Sequence, residues 1–195
     1  MTFEGFLRLA LQTVTAPRDV ARLLLSLRLP TEALVLGFAL VVVGNALVFS
    51  ISLVLMPPTQ AMGLLGNPLA LMAIRGVVLL ATIASLTWIG QMFGGRARFE
   101  SIALLLIWLQ ALSVAVQVLF TFILPIAPQL GSALVFAATA IGAYITVHFL
   151  DEAHGLNSIG KSVVVLILGM IAMAVSLSIF LSLVGFTPAG LTGHV

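Results

Sequence analysis

Five long apolar runs, separated by short segments that contain proline, glycine or charged residues, dominate the chain. A helix that crosses a lipid bilayer needs about 20 mainly apolar residues, and each run reaches that length. The pattern therefore predicts an all-α fold, a polytopic membrane protein built as a bundle of five transmembrane helices with an external tail. The predicted helices are 32–56, 69–93, 100–124, 131–150 and 162–186, and the predicted tail is 187–195.

The first 31 residues have a different, amphipathic pattern. Pro17 suits the first turn of a helix, and the residues after it separate into an apolar face and a charged face. The apolar face consists of Val20, Leu23, Leu24 and Leu27. We expect one or two N-terminal helices that lie in the membrane interface or pack on the ends of the bundle, and the two arrangements are compatible.

The composition supports an integral membrane protein, because 62% of the residues are hydrophobic and only 7% are charged. Soluble domains have roughly 45–50% apolar and about 25% charged residues. The eight basic residues are spread along the chain, whereas a nucleic-acid surface needs a clustered basic patch. No nucleic-acid partner is therefore predicted. The chain contains no cysteine, which excludes disulfides and thiolate metal sites.

The basic residues indicate an orientation, because lysine and arginine accumulate in the cytoplasmic loops of membrane proteins. The first and third loops, 57–68 and 125–130, and the tail contain no basic residue. Seven basic residues fall in the N-terminal segment, the second loop and the fourth loop: Arg8, Arg18, Arg22, Arg28, Arg96, Arg98 and Lys161. This asymmetry predicts a cytoplasmic N-terminus and an external C-terminus.

The eighth basic residue, Arg75, lies inside the second apolar run. Counted from the outer end of that run, its depth is roughly 9 Å. Gln117 has a similar predicted depth in the third run. We therefore predict that Arg75 turns inward, donates a hydrogen bond to Gln117 or a nearby carbonyl, and marks a polar pocket in the outer leaflet. The alternative is that Arg75 extends to the outer phosphates.

Polar side chains in the first and third runs belong to the same predicted pocket. Gln110, Ser113 and Gln117 share one face of the third helix, and Asn45 lies in the first run. Lipid cannot satisfy amide groups, so these residues should face other helices. They can hold helices together by hydrogen bonds, or they can line a polar path, as a small transporter or channel subunit would need.

The stretch "HFLDEAH" from His148 to His154 is the one cluster of metal-capable residues. His148 and Glu152 are four residues apart and share a helix face, but zinc needs three or four ligands. The charges also lie where the fourth run meets the cytoplasm. We therefore predict no metal and no cofactor, with His148 and Glu152 as weak metal candidates only.

No catalytic arrangement is recognisable in the sequence. All six carboxylates lie outside the apolar runs or at their cytoplasmic ends, whereas proton-coupled transport usually needs a buried carboxylate or histidine. No Ser/His/Asp arrangement suggests hydrolysis. The prediction is therefore a protein that is not an enzyme.

Three segments together resemble the Ypt-interacting-protein (Yip) domain family in its bacterial form. They are "PRDVARLLLSL" (Pro17–Leu27), "GQMFGGRARFESIALLL" (Gly90–Leu106) and "HGLNSIGKSVVVLIL" (His154–Leu168). The resemblance implies a five-helix membrane protein without catalytic activity. Eukaryotic members are associated with small GTPases and vesicle traffic, and carry an Asp-Leu-Tyr-Gly-Pro motif before the first span. The chain lacks this motif, which argues against a GTPase partner.

The resulting functional prediction is a non-enzymatic membrane protein of the Yip type that acts by association, in membrane organisation or assembly. The predicted partners are membrane lipid, further copies of the chain in a homo-oligomer, or a larger membrane complex. The predicted location is the bacterial inner membrane, which the absence of a long polar N-terminal region also favours. The alternative is a small transporter or channel subunit that uses the polar face of the third helix.

Overall fold

The computed structural model describes residues 3–55 and 67–183, and within these ranges the chain is all-helical. Five of the helices are long and apolar enough to cross a membrane, so the predicted fold class is confirmed. The predicted tail 187–195 lies outside the described residues. The helices are α1 (Phe3–Thr15), α2 (Pro17–Ser26), α3 (Thr31–Leu55), α4 (Pro68–Met92), α5 (Phe99–Ile123), α6 (Gly131–His154) and α7 (Ile159–Leu183), with a short 3₁₀ turn at Pro128–Leu130.

Helix boundaries follow from the residues beside them. The Asn67 side chain accepts hydrogen bonds from the backbone N–H groups of Leu69 and Ala70, at 2.9 and 3.3 Å, and Pro68 occupies the first turn of α4. Gly155 ends α6 in the left-handed conformation, with φ 64°, which glycine adopts without a steric penalty. These caps satisfy backbone groups that the helix ends would otherwise leave unpaired.

The helices alternate in direction along the bundle. Cβ atoms added at Gly37 and Gly44 would lie 3.2 Å from Ile107 and 3.5 Å from Val114, so α3 and α5 run parallel at a constant offset. The glycines allow this close approach. The core that joins α3, α4, α5 and α7 contains the following buried residues: Val41, Val42, Leu79, Ile83, Leu86, Ile102, Leu106 and Val165.

One end of the bundle, called the basic end below, carries the starts of α3, α5 and α7 and the ends of α4 and α6. The backbone N–H of Arg96 donates to the carbonyl of His154 at 3.0 Å, which ties the α4–α5 turn to the end of α6. Charged residues gather here because the long helices are apolar elsewhere. Its basic residues include Arg18, Arg22, Arg28, Arg96, Arg98 and Lys161.

The helices α1 and α2, called the helix pair below, pack against the bundle at the basic end. A second buried cluster joins them to α5 and α6, and it consists of Leu9, Val20, Ala21, Leu24, Leu105, Ile145 and Phe149. The predicted apolar face of α2 is divided: Val20 and Leu24 are buried, whereas Leu23 and Leu27 remain 47% and 53% exposed. The sequence predicted N-terminal helices that lie in the membrane interface or pack on the ends of the bundle, and the structure shows the helix pair packed on the bundle.

Candidate functional site

A polar seam holds α3 against α5. The Gln117 amide donates to the Asn45 side-chain oxygen at 2.8 Å, and the Asn45 amide donates to the carbonyl of Val41 at 2.8 Å. Further along, the hydroxyls of Ser52 and Thr121 are 3.0 Å apart. Because lipid offers no hydrogen bonds, such pairs fix the register of neighbouring helices, each with about 0.6 kcal/mol on average.

The predicted polar face of α5 divides between two environments. Gln117 belongs to the seam, whereas the Ser113 hydroxyl donates to the carbonyl of Leu109 in its own helix at 3.0 Å. Gln110 lines a small cavity together with Arg75 and Asn45. The seam therefore joins helices, and these contacts give no support to the transporter or channel alternative.

Arg75 lies at a cavity of about 60 Å³ between α3, α4 and α5. The predicted hydrogen bond from Arg75 to the Gln117 carbonyl is not present among the described residues, where the Gln117 amide donates to Asn45. Within the described chain Arg75 makes neither a hydrogen bond nor an ion pair. The prediction of equal depth for Arg75 and Gln117 came from counting residues from the ends of their helices. Such a count assumes that the ends of all helices lie at the same height in the membrane.

Two ion pairs fasten α2 to the end of α6. The Arg18 guanidinium lies 2.7 Å from the Asp151 carboxylate, and Arg22 lies 2.8 Å from Glu152. The hydrogen bond with Glu152 raises the pKa of the Arg22 guanidinium above its ordinary value. The four side chains line a cleft of about 190 Å³ at the basic end.

Asp151 is the more buried of the two carboxylates, since only 6% of its side chain is exposed against 22% for Glu152. Its Oδ1 atom also accepts hydrogen bonds from the Ser158 backbone N–H at 2.9 Å and from the Ser162 hydroxyl at 3.2 Å. Asp151 therefore joins α2, α6 and the start of α7.

The weak metal candidates have other partners. The His148 Nδ1 atom is 2.8 Å from the carbonyl of Tyr144, and its ring lies 4.4 Å from the Tyr144 ring. Glu152 binds Arg22. Among the described residues no group of three His, Cys, Asp or Glu side chains lies together as a metal would require.

An aromatic contact sets the position of α1. The Trp108 indole N–H donates to the Thr13 hydroxyl at 3.0 Å, and the rings of Phe6 and Trp108 meet edge to face at 5.6 Å. Trp108 lies nine residues into α5, roughly 13 Å along the helix. α1 therefore lies beside the bundle and not below its end. Sequence reasoning missed both Thr13 and Trp108, although each is a polar group on an otherwise apolar face.

The His154 side chain is tightly enclosed at the basic end. Its ring is 1% exposed and lies between Gly90 and Gly95, where an added Cβ atom at either glycine would overlap the ring. Gly94, in the turn that follows α4, has a positive φ of 85°. The glycines of "GQMFGG" therefore provide space for His154.

Comparison with known proteins identifies the family. The profile of the Yip1 domain matches residues 11–180, which covers the end of α1, all of α2 and nearly all of the five long helices. The chain therefore belongs to the Yip1 domain family, and it is a multi-pass membrane protein with a helical bundle. No curated protein matches the chain significantly, and no solved structure does.

Proposed function

We propose that the chain is a non-enzymatic membrane-organising protein that acts by association with lipid, and that the helix pair is its acting part. In this proposal the basic end faces the cytoplasm, the C-terminus lies outside, and the membrane is a bacterial inner membrane. The contact of Trp108 with Thr13 carries the proposal. It sets α1 beside α5, roughly 13 Å from the start of that helix, and α5 is long and apolar enough to cross a membrane.

The surface of α1 supports contact with lipid, because this helix has three faces. Leu9 and Thr13 face the bundle and are buried. An exposed polar face carries an ion pair between Arg8 and Glu4 at 3.3 Å. Between them lies an exposed apolar face, which consists of Leu7, Leu11 and Val14 at 46%, 71% and 42% exposure. A helix at a membrane interface needs a polar face toward water and an apolar face toward acyl chains.

The helix pair would occupy area in one leaflet only. The two ion pairs to α6 hold α2 in place, so the embedded helices and the bundle would move as one body. A body that is wider in one leaflet favours a curved bilayer or a particular lipid packing. Membrane organisation would follow from shape and would need no catalytic group. Association with further copies or with a larger complex remains compatible with the same shape.

Replacement of two exposed leucines tests the role of the helix pair. We expect wild-type protein, reconstituted into phosphatidylcholine and phosphatidylglycerol vesicles, to reduce the mean vesicle diameter measured by electron microscopy. Leu7→Gln with Leu11→Gln should lose this effect, because polar side chains weaken insertion of α1. Leu130→Gln is the matched control, since Leu130 is 50% exposed but lies at the opposite end of the bundle. Equal diameters for wild type and the double variant would contradict the proposal.

The proposed orientation can be tested by single cysteines, because the chain has none. An impermeant thiol reagent applied to intact cells should label Thr192→Cys and should leave Ser158→Cys unlabelled. After the cells are opened, both positions should react. Labelling of position 158 but not of position 192 in intact cells would reverse the orientation.

A further inference from the structure

Arg75 lies near the middle of the bundle and not at its edge. The next residue, Gly76, faces Phe38 and Val42 of α3, with the nearest atoms 3.8 and 4.0 Å from an added Cβ. Val42 is close to the midpoint of the 25-residue helix α3, and Gln110 is close to the midpoint of α5. An arginine at the centre of a bilayer costs about 2.5–3.5 kcal/mol on insertion scales. Such a residue is therefore a candidate for function.

The chain offers Arg75 no counter-charge. The six carboxylates of the sequence are Glu4, Asp19, Glu32, Glu100, Asp151 and Glu152. All of them belong to the basic end or to the helix pair, and in the described chain none forms an ion pair with Arg75. A guanidinium that is removed from water without a partner carries a desolvation penalty, so an anion from outside the chain would stabilise it.

The cavity beside Arg75 has the chemistry and size for a small anion. Gln110 and Thr82 line it together with Asn45, and the Gln110 amide makes no hydrogen bond to another described residue. The Gln110 N–H groups are therefore available as donors. A volume of about 60 Å³ holds a group of a few heavy atoms, since a cavity needs about 10–15 Å³ of such volume for each water molecule. Arg75 itself is exposed, so the cavity is open on the side of this residue.

The geometry also indicates which leaflet would supply the anion. A side chain on a helix leans toward the helix N-terminus, which for α4 is the end remote from the helix pair. Gly76 of α4 and Val42 of α3 lie at the same height. Beyond this height α3 continues for 13 residues to Leu55, whereas α4 extends only eight residues back to its start at Pro68. α4 is therefore about five residues shorter on this side, roughly 7 Å. Arg75 is therefore nearer to the start of its own helix than Val42 is to the end of α3, which shortens the path of a lipid phosphate from that leaflet.

We propose that Arg75 and Gln110 bind the phosphate group of an anionic phospholipid from the leaflet remote from the helix pair. The phosphate oxygens accept hydrogen bonds from the Arg75 guanidinium and the Gln110 amide, and the acyl chains lie along the exposed faces of α3 and α4. A lipid phosphate fits better than a carboxylate of a partner protein, because Arg75 is exposed on a helix long and apolar enough to cross a membrane, where lipid is the ordinary neighbour. This site is separate from the helix pair and does not depend on the proposed function.

Native mass spectrometry of the purified full chain tests the site, with phosphatidylglycerol and phosphatidylcholine as probes. Wild type should retain phosphatidylglycerol in preference to phosphatidylcholine. Arg75→Gln should weaken retention about tenfold, as expected when a charge-assisted hydrogen bond is lost, and Gln110→Leu should weaken it several-fold. Arg28→Gln is the matched control, because it removes the same charge from an exposed position at the basic end. If Arg75→Gln does not fold, Gln110→Leu carries the comparison.

Three results would overturn the proposal. Equal loss of phosphatidylglycerol in Arg75→Gln and Arg28→Gln would show that only the overall charge matters. Displacement of the bound lipid by inorganic phosphate would assign the cavity to a free anion. A co-purifying protein that is lost with Arg75→Gln, while phosphatidylglycerol retention stays unchanged, would assign Arg75 to a protein interface.

Discussion

Gly90→Ala is expected to destabilise the protein by about 1–3 kcal/mol, the usual cost of overpacking a filled core. The added methyl group would overlap the ring of His154, which is fully enclosed. The ring cannot easily move away from the added methyl group, because Gly95 packs against it as well. Thermal unfolding in detergent should show the change as a clearly lower melting temperature.

Gly142→Ala provides the matched control, because an added Cβ at Gly142 meets nothing within 4 Å. Alanine is the better helix former by roughly 0.5–1 kcal/mol, so this variant should be as stable as wild type or slightly more stable. The combination of Gly90→Ala with His154→Ala should recover part of the loss, since the two residues share one space. Equal melting temperatures for Gly90→Ala and Gly142→Ala would show that His154 moves aside without cost.

The long helices could be predicted from the sequence because bilayer thickness sets their length and polar breakers set their ends. The largest difference is at α6, which continues to His154 although the apolar run was taken to end at Leu150. The prediction placed Asp151 and Glu152 just beyond the apolar run, at the interfacial end of the helix. In the structure both carboxylates pair with arginines of α2, so the helix continues through them.

The sequence identified which polar residues are buried better than it identified which residues they bind. Asn45 and Gln117 were recognised as buried amides, but their mutual hydrogen bond depends on the parallel register of α3 and α5. The depth of Arg75 depends on how far α4 is displaced along α3, and loop lengths do not determine that displacement. The pair of Arg18 and Asp151 joins positions 133 residues apart, which no local periodicity can reveal.

The two ion pairs of the helix pair should differ in strength because their carboxylates differ in burial. Asp151→Ala removes the partner of Arg18 and leaves the Ser158 N–H without its acceptor, whereas the Ser162 hydroxyl can still donate to the carbonyl of Ser158 at 3.1 Å. An unsatisfied buried donor costs about 1–3 kcal/mol. Since Arg18 is 44% exposed and can turn to water, we expect a total loss of about 2–3 kcal/mol.

Glu152→Ala is the matched variant and should cost less than about 1 kcal/mol, as is usual for exposed pairs, because Arg22 is 64% exposed. Loss of Asp151 should also loosen α2, so trypsin should cut the Asp151→Ala protein after Arg18 or Arg22 faster than the Glu152→Ala protein. Asp151→Asn should fall between wild type and Asp151→Ala, since its amide oxygen still accepts the Ser158 N–H. If both alanine variants unfold at the same temperature and are cut at the same rate, Asp151 does not anchor α2, and the helix pair is held by its apolar contacts alone.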